Sequence, residues 1–231
     1  MTAIKKKDFV EIKYSGYSNG QLFDSNIEED LKKIDSKAEP QKTIIVVGEG
    51  MLVPGFDKAL EGKELNKEYS VDVKFKEGFG DRRRDLIKTI PLKSFHAQRV
   101  DPKPGMVLAL DNSIAKIVAV SGARVITDFN NPMAGKDLTY KFSIIRKVDD
   151  EQEKVKVLLE FFFKFAPEFE IKENEILVKG PQLLEAYIKV FGGKVKEILG
   201  KELKFELKLP TKEEKKDDDP ENKVETNQTN T

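Results

Sequence analysis

The amino-acid sequence predicts an α+β protein built mainly from antiparallel strands, with a small β domain inserted in it and a mixed C-terminal part. Four apolar residues between 138 and 144 alternate with polar ones, which is typical of a half-buried strand. Three short β-branched segments between 107 and 127 are separated by turn residues. Residues 150–210 instead mix helix-length and strand-length apolar segments. These patterns indicate at least three structural parts in the 231 residues.

Residues 1–85 predict strands around one short helix. Apolar residues near Tyr14, the β-branched segment 43–47 and the alternating segment 69–75 each fit a strand. Between the last two, a Pro-Gly pair precedes a short amphipathic stretch, and a glycine follows it. That order predicts a short helix over 56–60 that stops at the glycine.

Residues 86–132 predict the inserted β unit. A unit this small closes a core poorly, so we expect some of its apolar side chains at the surface, where they bind unfolded chains. The alternative is that these side chains only form the core of the unit. The predicted strands are 107–110, 114–120 and 123–127, and the predicted turns are 111–112 and 121–122. The apolar set consists of Ile114, Ile117, Val118, Val120, Val125 and Ile126, with Ile117 and Val120 as predicted substrate contacts.

Residues 150–210 predict the order α-β-β-α-β. The first helix follows an acidic cap at 149–151, although alternate apolar residues from 155 to 165 also fit one face of a strand. Three adjacent phenylalanines at 161–163 need apolar neighbours on several sides. The helix is therefore central in its domain or seals a dimer, and we predict a homodimer through 150–210. The other predicted elements are a hairpin over 169–178, a helix over 183–199 with a break at Gly192-Gly193, and a strand over 203–209.

The composition excludes several classes of chemistry. The 41 basic and 41 acidic residues cancel, which leaves no overall positive field for nucleic acid. No cysteine and one histidine exclude disulfides, thiol nucleophiles and multi-histidine metal sites, and we expect no cofactor. No segment reaches the roughly 20 apolar residues of a membrane span, and none at the N-terminus has signal-peptide length. We expect a cytoplasmic protein that binds no membrane, with a disordered tail over 211–231.

The most distinctive motif is Val47–Leu60, VGEGMLVPGFDKAL. Its glycines do not follow the G-x-G-x-x-G spacing of a nucleotide-binding loop. With four further segments in the same order, it resembles the FKBP family of prolyl isomerases, where a strand ends at a glycine and a loop leads through Gly-aromatic into a short helix. The four segments are Tyr14 with Gly16, Gly20 to Ser25, Phe79-Gly80, and Leu138-Thr-Tyr140.

The insertion and the C-terminal part extend this resemblance. An insertion at 86–132 is similar to the insert-in-flap domain of the SlyD-like subfamily, and the C-terminal part resembles in architecture the extra domain of long archaeal FKBPs. The resemblance implies an antiparallel FKBP half-barrel around a short helix over 1–85 and 133–149, with isomerase activity. It also implies chaperone activity in the insert, and it leaves 150–210 as a C-terminal α/β domain.

The resemblance also implies an active-site pocket. Asp24 is its one ionisable wall residue, held by Tyr14, and the peptide N–H of Val53 holds a substrate carbonyl. Phe79 stands where the family commonly has tyrosine, so one substrate hydrogen bond is missing. The implied catalytic residues are Tyr14, Asp24, Val53, Phe79 and Tyr140. The implied substrate-binding residues are Phe23, Val46, Leu52 and Phe56, with Phe56 as the floor where many relatives carry tryptophan.

Prolyl isomerisation suits a chain with so few reactive side chains. Rotation about a peptide bond has a barrier of about 18–20 kcal/mol from amide resonance, and it breaks no covalent bond. A dry apolar pocket favours the twisted amide over the more polar planar one. We therefore predict an isomerase that is also a chaperone for unfolded or proline-containing polypeptides. The alternatives are a catalytically weak holdase on the same fold and an adaptor that docks through its C-terminal domain.

Overall fold

The computed structural model divides into two compact units, which are described separately. The units are Met1–Lys147 and Val148–Thr231. The structure describes residues 3–110 and 113–208. The predicted turn at 111–112 and the predicted tail at 211–231 therefore lie outside the described residues. Within those described ranges, no helix is both long and apolar enough to cross a membrane.

The N-terminal unit consists mainly of strands. They are β1 (Phe9–Ser18), β2 (Gln21–Ser25), β3 (Thr43–Val46), β4 (Glu68–Val73), β5 (Ile87–Pro91), β6 (Val107–Leu110), β7 (Ser113–Ser121), β8 (Arg124–Asp128) and β9 (Leu138–Lys147). Its helices are α1 (Glu28–Ile34), α2 (Pro54–Ala59) and α3 (Leu92–Ala97). Two 3₁₀ turns, Phe75–Glu77 and Arg84–Leu86, lie between β4 and β5.

Five of these strands form a sheet around the long strand β1. Strand β9 pairs antiparallel with one edge of β1, and β3 and β2 pair antiparallel with successive parts of the other edge. Strand β4 follows beyond β9. The predicted alternation in β9 is confirmed, because Leu138, Tyr140, Phe142 and Ile144 are all buried. Helix α2 packs so closely on β4 that a Cβ on Gly55 would lie 2.7 Å from Val73.

The other four strands form a second antiparallel sheet in the order β5-β8-β7-β6, called here the inserted sheet. Its segment of the chain lies between β4 and β9, as the sequence predicts. The sequence predicts three of its strands and misses β5 and helix α3. These two elements matter, because Phe95 of α3 completes a small core with Ile117 and Val125.

The C-terminal unit has the predicted element order. Its elements are α4 (Glu151–Phe163), β10 (Glu168–Ile171), β11 (Glu175–Gly180), α5 (Leu184–Leu199) and β12 (Glu202–Leu207). Helix α4 begins as the acidic cap predicts: the Asp150 carboxylate accepts a hydrogen bond from Glu153 N at 2.7 Å. Strand β11 pairs antiparallel with β10 and parallel with β12, so α5 is the crossover between two parallel strands.

The predicted break at Gly192-Gly193 is wrong, since α5 runs without interruption from Leu184 to Leu199. A glycine in a helix interior costs about 1 kcal/mol relative to alanine. Packing outweighs that cost here, because α5 buries Leu184 and Val195 in the core of the unit. A helix ended by two glycines would lose one of these anchors.

Phe162 and Phe163 of α4 pack in the core of their own unit, and Phe161 contacts its chain neighbours Phe162 and Lys164. The Phe162 ring stacks on Phe191 with centroids 5.0 Å apart, and Phe163 lies 5.2 Å from Tyr187. Phe163 is fully buried, and the other two are half-buried. Of the two arrangements that the sequence left open, the described contacts fit a helix that is central in its domain.

Candidate active site

Five aromatic side chains of the N-terminal unit form a connected cluster. The Phe56 and Tyr140 rings stack with centroids 4.4 Å apart and planes 13° apart. Tyr14 meets Phe56 edge-on at 5.8 Å, and Phe23 meets Tyr140 edge-on at 6.0 Å. Phe79 extends the cluster through an edge contact with Phe23 at 6.4 Å. The structure thus brings together five residues that the sequence names as site residues.

Strand register delivers most of this cluster. In the β1–β9 pairing Gly16 lies opposite Tyr140, and in the β1–β2 pairing Gly16 lies opposite Asp24. Because side chains alternate along a strand, Tyr14 shares a face with Gly16. Phe56 comes from α2, and Phe79 follows the 3₁₀ turn after β4. Residues far apart in sequence are therefore fixed by one rigid sheet and its short helix.

Asp24 is the carboxylate of the cluster. One of its oxygens accepts a hydrogen bond from the Tyr14 hydroxyl at 3.0 Å. Burial raises the pKa of Tyr14, and the Asp24 charge and this hydrogen bond raise it further. Burial, followed by the Asp24 charge, raises the pKa of Tyr140 to about 12. Both phenols therefore stay protonated at neutral pH, and Tyr14 remains a donor.

The loop before α2 presents a backbone donor beside the rings. Val53 is the N-cap residue of α2, and its carbonyl accepts the N–H groups of Phe56 and Asp57, both at 3.0 Å. In the described part of the chain, the Val53 N–H donates to no other protein group. Val53 and Leu52 are half-buried against the same core as the rings. This N–H is thus free to bind a ligand carbonyl.

The predicted site residues differ in how deeply their side chains are buried. Phe56 and Tyr140 are 1% and 4% exposed, so they form the base of the cluster. Phe79 is 36% exposed. Val46 departs from the prediction: it is fully buried on β3, and its neighbour Ile45 packs in the core that holds the rings, so strand alternation directs Val46 away from them. The half-buried remainder consists of Tyr14, Phe23, Asp24, Leu52 and Val53.

Comparison with known proteins identifies this arrangement. The sequence model for FKBP-type peptidyl-prolyl cis-trans isomerases matches residues 1–94, and the model described as the FKBP26 IF domain matches residues 88–133. The chain is 36% identical over 152 residues to the short-type peptidyl-prolyl cis-trans isomerase of Methanocaldococcus jannaschii. The aligned region covers 64% of this chain and 94% of that relative. The chain belongs to the FKBP-type peptidyl-prolyl cis-trans isomerases.

Bacterial relatives agree with this assignment. The probable FKBP-type 16 kDa isomerase of Pseudomonas fluorescens is 29% identical over 117 residues, 48% of this chain and 77% of the relative. The isomerase SlyD of Haemophilus influenzae is 30% identical over 117 residues, 48% of this chain and 60% of the relative. The resemblance to a SlyD-like FKBP with an insert in its flap is thereby confirmed, and the chain is a prolyl isomerase.

Two residues that shape this FKBP site carry no predicted role. A Cβ on Gly16 would lie 2.9 Å from both the Phe23 and Tyr140 rings, so only glycine leaves room for them. Asp57 is buried, and its two carboxylate oxygens accept the N–H groups of Gly48 at 2.8 Å and Gly50 at 3.1 Å. Both residues lie within the family motifs, and their roles depend on contacts that a motif does not reveal.

The inserted sheet corrects one further prediction. Ile117 is fully buried with Phe95 and Val125, so it cannot contact a substrate unless the core of the sheet opens. Val120 packs half-buried against the same core. Two other residues of the predicted apolar set, Ile114 and Val118, are exposed.

The inserted sheet also carries a cavity of about 660 Å³ beside α3. Polar and apolar side chains share its walls. They are Leu86, Lys88, Ile90, Ser94, Phe95, Gln98, Ala109, Leu110, Ser113 and Phe129. Within the described residues, no group of three or more histidine, aspartate or glutamate side chains is arranged to bind a metal.

Proposed function

We propose that the aromatic cluster is the pocket in which the isomerase twists the X-Pro bond. The observation that carries this proposal is the joint arrangement of stacked rings, the Asp24 carboxylate and the Val53 N–H, which has no partner among the described residues. The proline ring is expected to lie against the exposed Phe79 and the half-buried Phe23. Their apolar surface removes water from the amide and so favours its twisted form.

In this pocket the polar groups act on different parts of the substrate. The Val53 N–H holds a substrate carbonyl and fixes the peptide on one side of the bond. The Asp24 carboxylate, held by Tyr14, faces the carbon of the twisting amide and stabilises its less conjugated form. Tyr140 contacts Phe23 and Phe56, and it thereby helps to hold in place the rings beside the Val53 N–H and the Asp24 carboxylate. The reaction needs neither a covalent intermediate nor a proton transfer.

The test is the isomerisation of a tetrapeptide that contains Ala-Pro. We expect Asp24→Ala and Phe79→Ala each to lower kcat/KM while the protein stays folded. Asp72→Ala is a matched control, because Asp72 is exposed on β4 and bonds only Thr139 among the described residues. Unchanged kcat/KM in both variants would disprove the pocket assignment. No measurable activity in the parent protein would instead support the holdase alternative.

We further propose that the inserted sheet binds unfolded polypeptides. Three apolar side chains on its outer face support this: Val107, Ile114 and Val118 are 62%, 71% and 46% exposed. In the register of β6 and β7, Ala109 lies opposite Ile114 and Val107 lies opposite Lys116, so the three apolar side chains lie on adjacent strands with Lys116 among them. An apolar surface of this kind is typical of an interaction site. It replaces the buried Ile117 as the contact with clients.

The chaperone proposal is tested by protection of an aggregating client protein. We expect Ile114→Ser with Val118→Ser to reduce protection and to leave tetrapeptide isomerisation unchanged. Leu207→Ser is a matched control, because Leu207 of the C-terminal unit is also an exposed apolar side chain, at 52%. Deletion of 86–132 should abolish protection. Full protection by both altered proteins would show that clients bind elsewhere.

We also propose a role for each part of the chain. We assign 1–85 and 133–149 to the isomerase domain and 86–132 to the client-binding insert. The C-terminal unit over 150–210 is proposed to mediate self-association. A cytoplasmic location, where unfolded chains are available as clients, fits this set of activities.

A further inference from the structure

The two segments that join the five-stranded sheet to the inserted sheet are bonded to each other. The outgoing segment runs from Phe79 to β5, and the return segment runs from β8 to β9. At the end near the active site, Gly135 N–H donates to Gly80 O at 2.7 Å. At the end near the insert, Phe129 N–H donates to Leu86 O at 2.9 Å.

Between these two hydrogen bonds, the side chain of Asn130 in the return segment bonds to the backbone of the outgoing segment. Its amide oxygen accepts the Arg83 N–H at 2.8 Å, and its amide nitrogen donates to Arg83 O at 2.9 Å. The side chain therefore imitates a strand partner for the opposite backbone. This pairing also fixes which end of the amide is oxygen, since one backbone group needs an acceptor and the other a donor. Asn130 is 9% exposed, so water does not compete strongly for these groups.

Asp128 orients Asn130 and joins it to the other segment. One carboxylate oxygen accepts both the backbone N–H of Asn130 at 2.9 Å and its side-chain amide at 2.7 Å. The other oxygen forms an ion pair with Arg82. Burial would raise the pKa of Asp128, but the bonds from Asn130 and the charge of Arg82 outweigh it and lower the pKa. A buried carboxylate with several donors is costly to break, because each lost donor leaves it unpaired.

We propose that Arg82, Asp128 and Asn130 form a strut that fixes the orientation of the inserted sheet relative to the active-site pocket. They are positioning residues: the strut begins three positions after Phe79 and ends where the inserted sheet begins. A proline in a client held on the insert then meets the pocket at a raised effective concentration. This last step rests on the proposed function of the insert, whereas the fixed orientation does not.

The orientation is tested by distance measurement in the full chain. Because the sequence has no cysteine, Lys58→Cys on α2 and Ser121→Cys at the end of β7 can carry a pair of spin labels. We expect one narrow distance distribution in this labelled protein and a broader one after Asn130→Ala or Arg82→Ala. Arg83→Ala is the matched control, because the Arg83 side chain pairs with Asp85 outside the strut. Unchanged distributions in both strut variants would overturn the proposal.

Kinetics then separate positioning from a general loss of structure. For a protein whose refolding is limited by a proline, we expect the strut variants to raise KM about tenfold through the lost effective concentration. In these variants, kcat/KM for the tetrapeptide and the affinity for a permanently unfolded protein should stay unchanged. In Arg82→Lys, KM for the refolding protein should lie closer to the value of the parent protein than it does in Arg82→Ala. Equal losses on tetrapeptide and client would contradict positioning. If the parent protein bound no unfolded protein at all, the client-binding function would fail while the distance result still decided the strut.

Discussion

The Tyr14 hydroxyl donates to the Asp24 carboxylate at 3.0 Å, and this bond joins the central strand of the five-stranded sheet to its neighbour β2. The bond holds the one carboxylate of the aromatic cluster in a single orientation. It also uses the phenol as a donor to an ion, which is a strong type of hydrogen bond. The geometry of the proposed catalytic carboxylate thus depends on an aromatic residue ten positions earlier in the chain.

Replacement of Tyr14 by phenylalanine tests that dependence. A hydrogen bond to a charged group contributes about 1.5–3 kcal/mol, so its loss should lower kcat/KM on a tetrapeptide by between about tenfold and a hundredfold. Tyr17→Phe is the matched control on the same strand, since the Tyr17 hydroxyl is directed at Asp30 instead, at 3.5 Å. Equal activity of the two variants would mean that Asp24 needs no support from Tyr14.

Gly16 is expected to tolerate no side chain. In Gly16→Ala the new methyl group would lie 2.9 Å from two rings, which must move apart. Overpacking of this kind costs about 1–3 kcal/mol of stability, and it should also lower kcat/KM because Phe23 and Tyr140 are displaced. Gly193→Ala is the control: its Cβ meets open space, and a helical alanine should instead add about 1 kcal/mol. Chemical denaturation of both variants measures the difference, and a neutral Gly16→Ala would contradict the packing.

Asp57 is expected to position the Val53 N–H without touching substrate. Asp57→Ala leaves the Gly48 and Gly50 N–H groups without their acceptor, and each lost hydrogen bond costs about 0.5–1.5 kcal/mol. The loop should then loosen, and KM for the tetrapeptide should rise more than kcat falls. Asp57→Asn keeps one acceptor oxygen and should lie between the parent and Asp57→Ala. A kcat effect alone, with KM unchanged, would argue against a positioning role.

The sequence names residues that the structure places together because the motifs that carry them are local. Tyr14, Asp24, Val53 and Phe79 lie in short motifs with fixed spacing, and the structure brings them together. Val46 shows the limit. The segment around it is apolar on both faces, so the pattern does not reveal which side chains face the core.

Two residues on strand β7 of the inserted sheet show the same limit. Ile114 is 71% exposed and Ile117 is fully buried, although both are β-branched members of one strand. Strand faces alternate with a period of two, so the parity of the register decides which residue reaches solvent. The contacts of Asn130 and Asp57 are harder still to predict, because they join polar side chains to backbone groups that no periodicity marks.

Self-association through 150–210 stays a prediction. The residues that support it in the structure differ from the phenylalanines that suggested it in the sequence. Phe162 and Phe163 of α4 pack within the unit, whereas Leu183 and Val190 are 68% and 71% exposed. Light scattering at micromolar concentration should give twice the mass of the chain. Leu183→Ser with Val190→Ser should give a monomer, and a monomeric parent protein would refute the prediction.

Titration of Tyr140 tests the electrostatics of the pocket directly. The folded protein favours the neutral phenol, with a pKa raised from the ordinary value of 10.0 to about 12 by burial and then by the Asp24 charge. The sign follows: this group contributes stability that is fully present below pH 10.0 and lost as the pH rises towards 12. Asp24→Asn removes the second cause, so tyrosinate absorbance that is absent from a Tyr140→Phe protein should appear at lower pH. Asp72→Asn should leave that midpoint in place. A midpoint that did not move in Asp24→Asn would show that burial alone sets the pKa and that the Asp24 charge is too screened to act on an amide beside Tyr140.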